Sequence, residues 1–257
     1  MHTSLKALAA ATLFGLSFAA TPAMAEDAPA PASDFTFSGY VQGVSDYRYR
    51  GYSLSNGDPA VQGSINLNHK SGFYVGAWAS SIATTPVVGN MELDLYGGWT
   101  GKVTSGVTAD VGLLRYVYPD GKVGHGEYFE PYASLSSTFG PVTGKVGVAY
   151  AWKQKALALV PPQTKDDNLY LYTEASAGIP GTPVSVNAHL GYTDGALSPK
   201  GPLFAGTDRN GFDYSVGASY NITKAVSISA AYVGVDRSVK FNGINDDTVV
   251  ATLKLSM

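Results

Sequence analysis

Acidic side chains recur at alternate positions in segments that are otherwise rich in valine, leucine and glycine. In one such segment Glu92 and Asp94 alternate with Met91, Leu93 and Leu95. Carboxylates on one face of a strand can line a water-filled channel and favour cations there. The candidate channel-lining residues on these polar columns are Glu92, Asp94, Asp110, Glu130, Lys145, Glu174, His189, Asp213 and Lys254. The excess of acids predicts a modest preference for cations or neutral solutes. The alternative is that the acids pair with the two lysines and with loop arginines, and set no selectivity.

A second candidate group lies in one connection, where Tyr47, Arg48, Tyr49 and Arg50 follow one another. A planar guanidinium beside a tyrosine ring could hold an anionic or ring-shaped solute at a channel entrance. The alternative is structural, with the arginines paired to Asp46 and Asp58.

Several kinds of chemistry are disfavoured by the composition. The chain has no cysteine, which excludes disulfides and thiolate metal sites, and its net charge of −3 argues against nucleic acid as a partner. The histidines beyond residue 25, His69, His125 and His189, are far apart, and no Gly-x-Ser-x-Gly motif or metal-binding histidine pair occurs. We therefore expect no enzyme, cofactor or metal site; a hydrolase at the rim of a barrel is the remaining enzymatic alternative.

The N-terminus resembles an export signal. Lys6 precedes an apolar stretch, and Ala23-Met24-Ala25 fits a small-x-small cleavage pattern. We expect a signal peptide over residues 1–25, a disordered lead-in rich in alanine and proline over 26–33, and a single β domain over 34–257.

The elements that position the candidate residues are β-strands. Seven segments alternate clearly with period two and five more weakly, which predicts twelve strands. The connections alternate between long and short, as in bacterial outer-membrane barrels, with short periplasmic turns and long extracellular loops. The long links include residues 46–60 and 81–90. The fold class expected is an all-β, antiparallel, up-and-down transmembrane barrel.

Charge decides which face meets lipid. The apolar columns carry ionisable residues only at strand ends, at His69 and Arg115. Because a basic side chain at the bilayer midplane costs about 2–4 kcal/mol, the apolar column should face outward. Aromatic residues near the ends of these columns fit two interfacial girdles: Phe37, Trp99, Phe139, Trp152, Tyr192, Tyr214, Tyr220 and Tyr232.

Residues 44–81 carry three blocks that resemble a known family. They read Ser-Asp-Tyr-Arg-Tyr-Arg-Gly from Ser45, Pro-Ala-Val-Gln-Gly from Pro59, and Gly-Phe-Tyr-Val-Gly-Ala-Trp from Gly72. This succession is similar to the TorF-type porins, small outer-membrane proteins of proteobacteria. The resemblance implies an outer-membrane barrel with a pore role, and it supplies no substrate or binding residues.

These observations together predict a narrow porin-like channel in the outer membrane for passive diffusion of small hydrophilic solutes. Twelve strands lie between the side-chain-filled eight-stranded barrels and the open 16–18-stranded porins. The alternative is a plugged structural or adhesive barrel without conductance. The expected partners are outer-membrane lipid, lipopolysaccharide, the barrel assembly machinery and small solutes. Lys153 and Lys155, beside Trp152, could touch lipopolysaccharide phosphates, although a solvated loop is the simpler interpretation.

Overall fold

The alternating segments form fourteen β-strands in the computed structural model, which describes residues 33–122, 126–158 and 166–257. The predicted signal peptide, most of the lead-in and His125 lie outside these residues. The strands are β1 (Phe35–Val44), β2 (Arg48–Tyr49), β3 (Tyr52–Ser53), β4 (Ala60–His69), β5 (Phe73–Thr85), β6 (Gly89–Lys102), β7 (Val107–Val117), β8 (Tyr128–Phe139), β9 (Val142–Gln154), β10 (Asp166–Gly178), β11 (Val184–Gly195), β12 (Asn210–Asn221), β13 (Val226–Val235) and β14 (Thr248–Ser256). Two short 3₁₀ turns span Lys155–Leu157 and Pro202–Phe204. Over the same residues, no helix has the length and apolar character needed to cross a membrane.

Twelve of the strands close into one antiparallel barrel, as the sequence predicts. Each barrel strand pairs with its neighbours along the chain. The barrel closes where β1 pairs with β14, with Tyr40 opposite Ser256 and Val44 opposite Thr252. The two remaining strands, β2 and β3, form a separate two-stranded ribbon within the connection between β1 and β4.

The two ends of the barrel differ in their connections. At one end, the long-loop end, lie the connections 45–59, 196–209 and 236–247 and the described parts of those after β7 and β9, residues 118–122, 126–127 and 155–158; short turns lie at the other end. One predicted long link, residues 81–90, is wrong: β5 and β6 extend through it and are joined by residues 86–88. Gly89 has a φ of 69°, which lets the backbone turn tightly at this point. The predicted sorting of loops by length therefore has one exception.

The two faces of the strands meet different surroundings. Outward-pointing apolar side chains are exposed, for example Phe37 at 72% and Val216 at 58%, whereas Glu92 and Asp94 on the inner face are fully buried. Aromatic residues form the expected outer bands near both ends; Phe129 and Trp152 stack at the long-loop end, with ring centroids 6.0 Å apart. The outer surface is thus suited to lipid and the inner surface to polar groups.

Tyrosine and glycine fill the interior together. Three tyrosines each lie opposite a glycine on a neighbouring strand: Tyr74 opposite Gly98, Tyr132 opposite Gly112 and Tyr172 opposite Gly147. A Cβ added at any of these glycines would collide with the facing ring or its hydroxyl. The large numbers of glycines and tyrosines, 30 and 17, therefore have a packing reason.

Candidate functional site

The connection after β1 folds into the barrel instead of standing above it. Residues 46–55, here called the plug, are all buried or half-buried. Its tip is a two-residue hairpin turn, because Arg50 and Gly51 both have positive φ, 46° and 84°. A Cβ at Gly51 would lie within 3 Å of Asp213 on β12 and Val235 on β13, so glycine also permits this close approach.

Asp46 holds the plug in shape. Its carboxylate accepts hydrogen bonds from the Ser53 and Ser55 hydroxyls at 2.5 and 3.1 Å, and from Arg48 Nε at 2.5 Å. The Nη1 atom of Arg48 donates to the carbonyls of Ile244 and Asp246, at 3.1 and 2.8 Å. Arg48 therefore pairs with Asp46, as the structural alternative expects, and ties the plug to the connection between β13 and β14.

Arg50 reaches across the lumen to Glu130 on β8. Its Nη2 atom donates to both carboxylate oxygens, at 2.7 and 2.8 Å, and the two side chains are only 6% and 4% exposed. Burial alone would lower the pKa of Arg50, but the adjacent Glu130 outweighs this and raises it well above the ordinary value. The expected pairing of Arg50 with Asp58 is wrong, because Asp58 lies in the exposed part of the connection.

Arg50 does not stand open at an entrance either. Its guanidinium carbon lies 4.2 Å from the Tyr170 ring centroid and 4.9 Å from that of Tyr49. The Tyr49 hydroxyl lies 3.2 Å from those of both Tyr116 and Tyr128. The predicted entrance residues Tyr47, Tyr49, Arg48 and Arg50 are therefore parts of the plug, enclosed by the barrel wall.

Glu92 and Asp94, on β6, lie near Tyr47 of the plug. Glu92 accepts hydrogen bonds from the Tyr47 and Tyr118 hydroxyls, at 3.0 and 3.3 Å. Burial and the neighbouring Glu92 raise the pKa of Tyr47 well above its ordinary value, so the hydroxyl stays protonated and donates. Both carboxylate oxygens of Asp94 are buried with no hydrogen-bond partner among the described residues.

A second polar cluster surrounds His189. Its Nε2 lies 2.8 Å from the Tyr170 hydroxyl and 3.0 Å from Asp213 Oδ1, and its Nδ1 lies 3.6 Å from Glu174. Glu174 also faces Lys145, with Nζ 3.6 Å from Oε2. Tyr170 thus connects this cluster to the plug, since Arg50 covers its ring.

The remaining predicted channel-lining residues contact tyrosines. Asp110 accepts a hydrogen bond of 2.6 Å from Tyr74, whose hydroxyl lies 2.5 Å from that of Tyr132. Lys254 Nζ lies 4.1 Å above the Tyr40 ring. The structure therefore places all nine predicted residues on the inner face, in contact with tyrosines or with other charged side chains of the lumen.

A small space remains between the plug and the barrel wall. A cavity of about 30 Å³ lies between the plug and the barrel wall, lined in part by Gln42, Tyr47, Gln62 and Trp78. This volume suits one or two water molecules. Among the residues that the structure describes, no group of three or more His, Asp or Glu is arranged to hold a metal ion.

The inward fold of the first connection is the part of the site that sequence reasoning left open. The tyrosine lining follows the parity of the sequence, because Tyr170 and Tyr172 stand on the same polar column as Glu174. Parity gives the direction of a side chain but does not show which residues across the lumen it contacts.

Comparisons with known proteins agree with the architecture. A model of the Gcw_chp family, described as bacterial protein of unknown function, matches residues 28–256. The structure of the NanC porin is 13% identical, with a TM-score of 0.59 over 85% of this chain and 98% of that one. A KdgM porin in complex with disordered oligogalacturonate is 8% identical, with a TM-score of 0.56 over 86% and 99%. No curated protein matches the chain in sequence. At these identities the likeness concerns the fold.

Proposed function

The chain belongs to the Gcw_chp family of bacterial proteins of unknown function, and we propose that it is a porin-type channel of the outer membrane for small hydrophilic solutes. The observation that carries this proposal is the closed twelve-stranded barrel with an apolar outer face and a polar, charged inner face. A closed barrel satisfies every backbone group internally, which a membrane-spanning sheet requires. The resemblance of residues 44–81 to the TorF-type porins points in the same direction.

We propose a preference for cations or neutral solutes. Acidic side chains still outnumber basic ones on the inner face when Arg50 is counted with Lys145 and Lys254. Glu130 and Glu174 face basic partners, whereas none of the described basic side chains lies at ion-pair distance from Glu92, Asp94 or Asp110. Unpaired acids in a narrow lumen attract cations.

The plug favours a second candidate function, a closed structural barrel. It is bonded to Glu92 on β6 and to Glu130 on β8, and Arg48 ties it to the β13–β14 connection on the facing side of the barrel. Under this alternative the barrel conducts only when the plug is removed.

The proposed location in the outer membrane implies a set of partners. A barrel in the outer membrane contacts lipid and lipopolysaccharide and needs the barrel assembly machinery, after export directed by residues 1–25. We propose no enzymatic role. His189 faces two carboxylates and a tyrosine hydroxyl, and the Ser215 hydroxyl on the adjacent strand has no hydrogen-bond partner among the described residues.

Planar-bilayer recording tests the proposal. The purified wild-type protein is compared with a variant in which residues 46–55 are replaced by a glycine–serine linker. We expect small wild-type steps with a reversal potential on the cation-selective side of a KCl gradient, and larger steps from the variant. A silent wild type with a conducting variant favours the closed barrel; silence of both folded proteins contradicts a channel function, and anion selectivity contradicts the solute preference.

A further inference from the structure

The groups that hold the Arg50 guanidinium form a receptor for a planar cation. The Glu130 carboxylate accepts two hydrogen bonds from one guanidinium nitrogen, and Tyr170 presents its ring face 4.2 Å from the guanidinium carbon. The Tyr116 hydroxyl donates to Glu130 Oε2 at 3.0 Å and so fixes the carboxylate. A carboxylate combined with an aromatic face recognises guanidinium more specifically than it recognises a simple metal cation.

The receptor and its occupant belong to different parts of the molecule. Glu130, Tyr116 and Tyr170 stand on barrel strands β8, β7 and β10, each paired on both sides. Arg50 stands at the tip of the plug, in a connection between strands. The wall that recognises the cation is therefore complete without the plug, apart from the Tyr49 ring.

The Arg50 guanidinium, which is tethered to the plug, uses only part of its hydrogen-bonding capacity. Nη2 makes both bonds to Glu130, whereas the Nη1 atom of Arg50 is buried and has no hydrogen-bond partner in the described part of the chain. A buried donor that is left unsatisfied weakens binding. A free guanidinium compound, which is not tied to a turn, can rotate to present two nitrogens to the carboxylate.

We propose that the wall formed by Glu130, Tyr116 and Tyr170 is a binding site for small organic cations of the guanidinium class, and that Arg50 occupies it as an internal competitor. The inference deepens the proposed cation preference and rests on it for its role in transport. When a guanidinium solute displaces Arg50, its binding in the lumen and the release of the tip of the plug are one event.

The test is chemical complementation of Arg50→Ala with methylguanidinium. Millimolar methylguanidinium should raise the melting temperature of the detergent-folded variant by several degrees, since a ligand that binds only the folded state stabilises it. The wild-type protein, whose site is filled, should respond much less. Urea has a similar planar shape without the charge, and NaCl gives the charge without the shape; neither should reproduce the effect at equal concentration.

Two matched variants localise the effect. Adding Glu130→Gln to Arg50→Ala should raise the half-saturating methylguanidinium concentration by about tenfold or more, as loss of a charge-assisted contact predicts. Arg115 provides the control, because it pairs with Glu127 at 2.7 Å beside the Phe129 ring, but on the exposed outer surface. Arg115→Ala should show no methylguanidinium response.

The site is refuted if Arg50→Ala does not respond, responds equally to urea, or keeps its response after Glu130→Gln. Should Arg50→Ala not fold alone, its refolding yield with and without methylguanidinium replaces the melting temperature, and absence of any gain has the same meaning. Melting does not depend on conductance, so the two proposals fail separately. Methylguanidinium binding to a silent barrel contradicts the channel alone, and a conducting barrel that ignores methylguanidinium contradicts the site alone.

Discussion

Arg50 and Glu130 lose almost all their hydration inside the barrel, so they depend on their partners. Removing one member of such a buried pair costs about 3–5 kcal/mol, because the other charge stays uncompensated. The same holds for Arg48 and Asp46, which are 5% and 6% exposed. The plug is therefore held by a few charge-assisted contacts and tyrosine rings, and single substitutions can release it.

Asp46→Asn should loosen the plug. The substitution weakens the bonds from Arg48 and Ser53, and loss of a hydrogen bond to a charged group costs about 1.5–3 kcal/mol. Trypsin cleaves after arginine, so cleavage at Arg48 and Arg50 in the folded barrel should accelerate by about tenfold or more.

Asp58→Asn is the control for this change, because Asp58 is exposed in the same connection. Equal trypsin sensitivity of the two variants would show that Asp46 does not hold the plug.

At the level of strands, the interior is built from tyrosines that cross above glycines. At Gly98 an added methyl would meet not only the Tyr74 hydroxyl but also the backbone of β7, at the Val111 carbonyl and at Gly112 Cα. Backbone paired on both sides cannot move away as a side chain can. Gly144, on β9, has open space at the same point.

Gly98→Ala should therefore destabilise the barrel by about 1–3 kcal/mol, the range for overpacking. Gly144→Ala should be neutral or slightly stabilising, because it lowers the entropy of the unfolded chain without a clash. The urea unfolding midpoints of the two variants, refolded in lipid vesicles, measure this difference in stability. A Gly98→Ala midpoint equal to that of Gly144→Ala would contradict the packing account.

The strands could be predicted from sequence because their cause is local. Alternation along Phe212–Tyr220 or Val226–Tyr232 reports two different environments without knowledge of any partner. The plug could not be predicted in this way, because Tyr47 to Arg50 alternate as any strand extension does. Their inward direction depends on Glu92 and Glu130, which are distant along the chain.

For the whole molecule, the outer surface should tolerate charge only at its ends. Val216 lies in the middle of β12 and is 58% exposed, whereas Val103 is 54% exposed in a turn. In lipid vesicles Val216→Arg should cost about 2–4 kcal/mol of unfolding free energy and Val103→Arg about 0–1 kcal/mol. Equal losses of unfolding free energy for the two variants, measured by chemical denaturation, would contradict a hydrocarbon belt at the level of Val216.

The plug has one mechanical consequence. An empty twelve-stranded tube can flatten into an oval under lateral pressure, because neighbouring strands hinge easily about their shared ladder. Here one short segment is tied to β6, β8 and the β13–β14 connection together, at Tyr47, Arg50 and Arg48. It therefore links facing sides of the barrel, and we expect release of its tip to make the barrel easier to deform as well as clearing its centre.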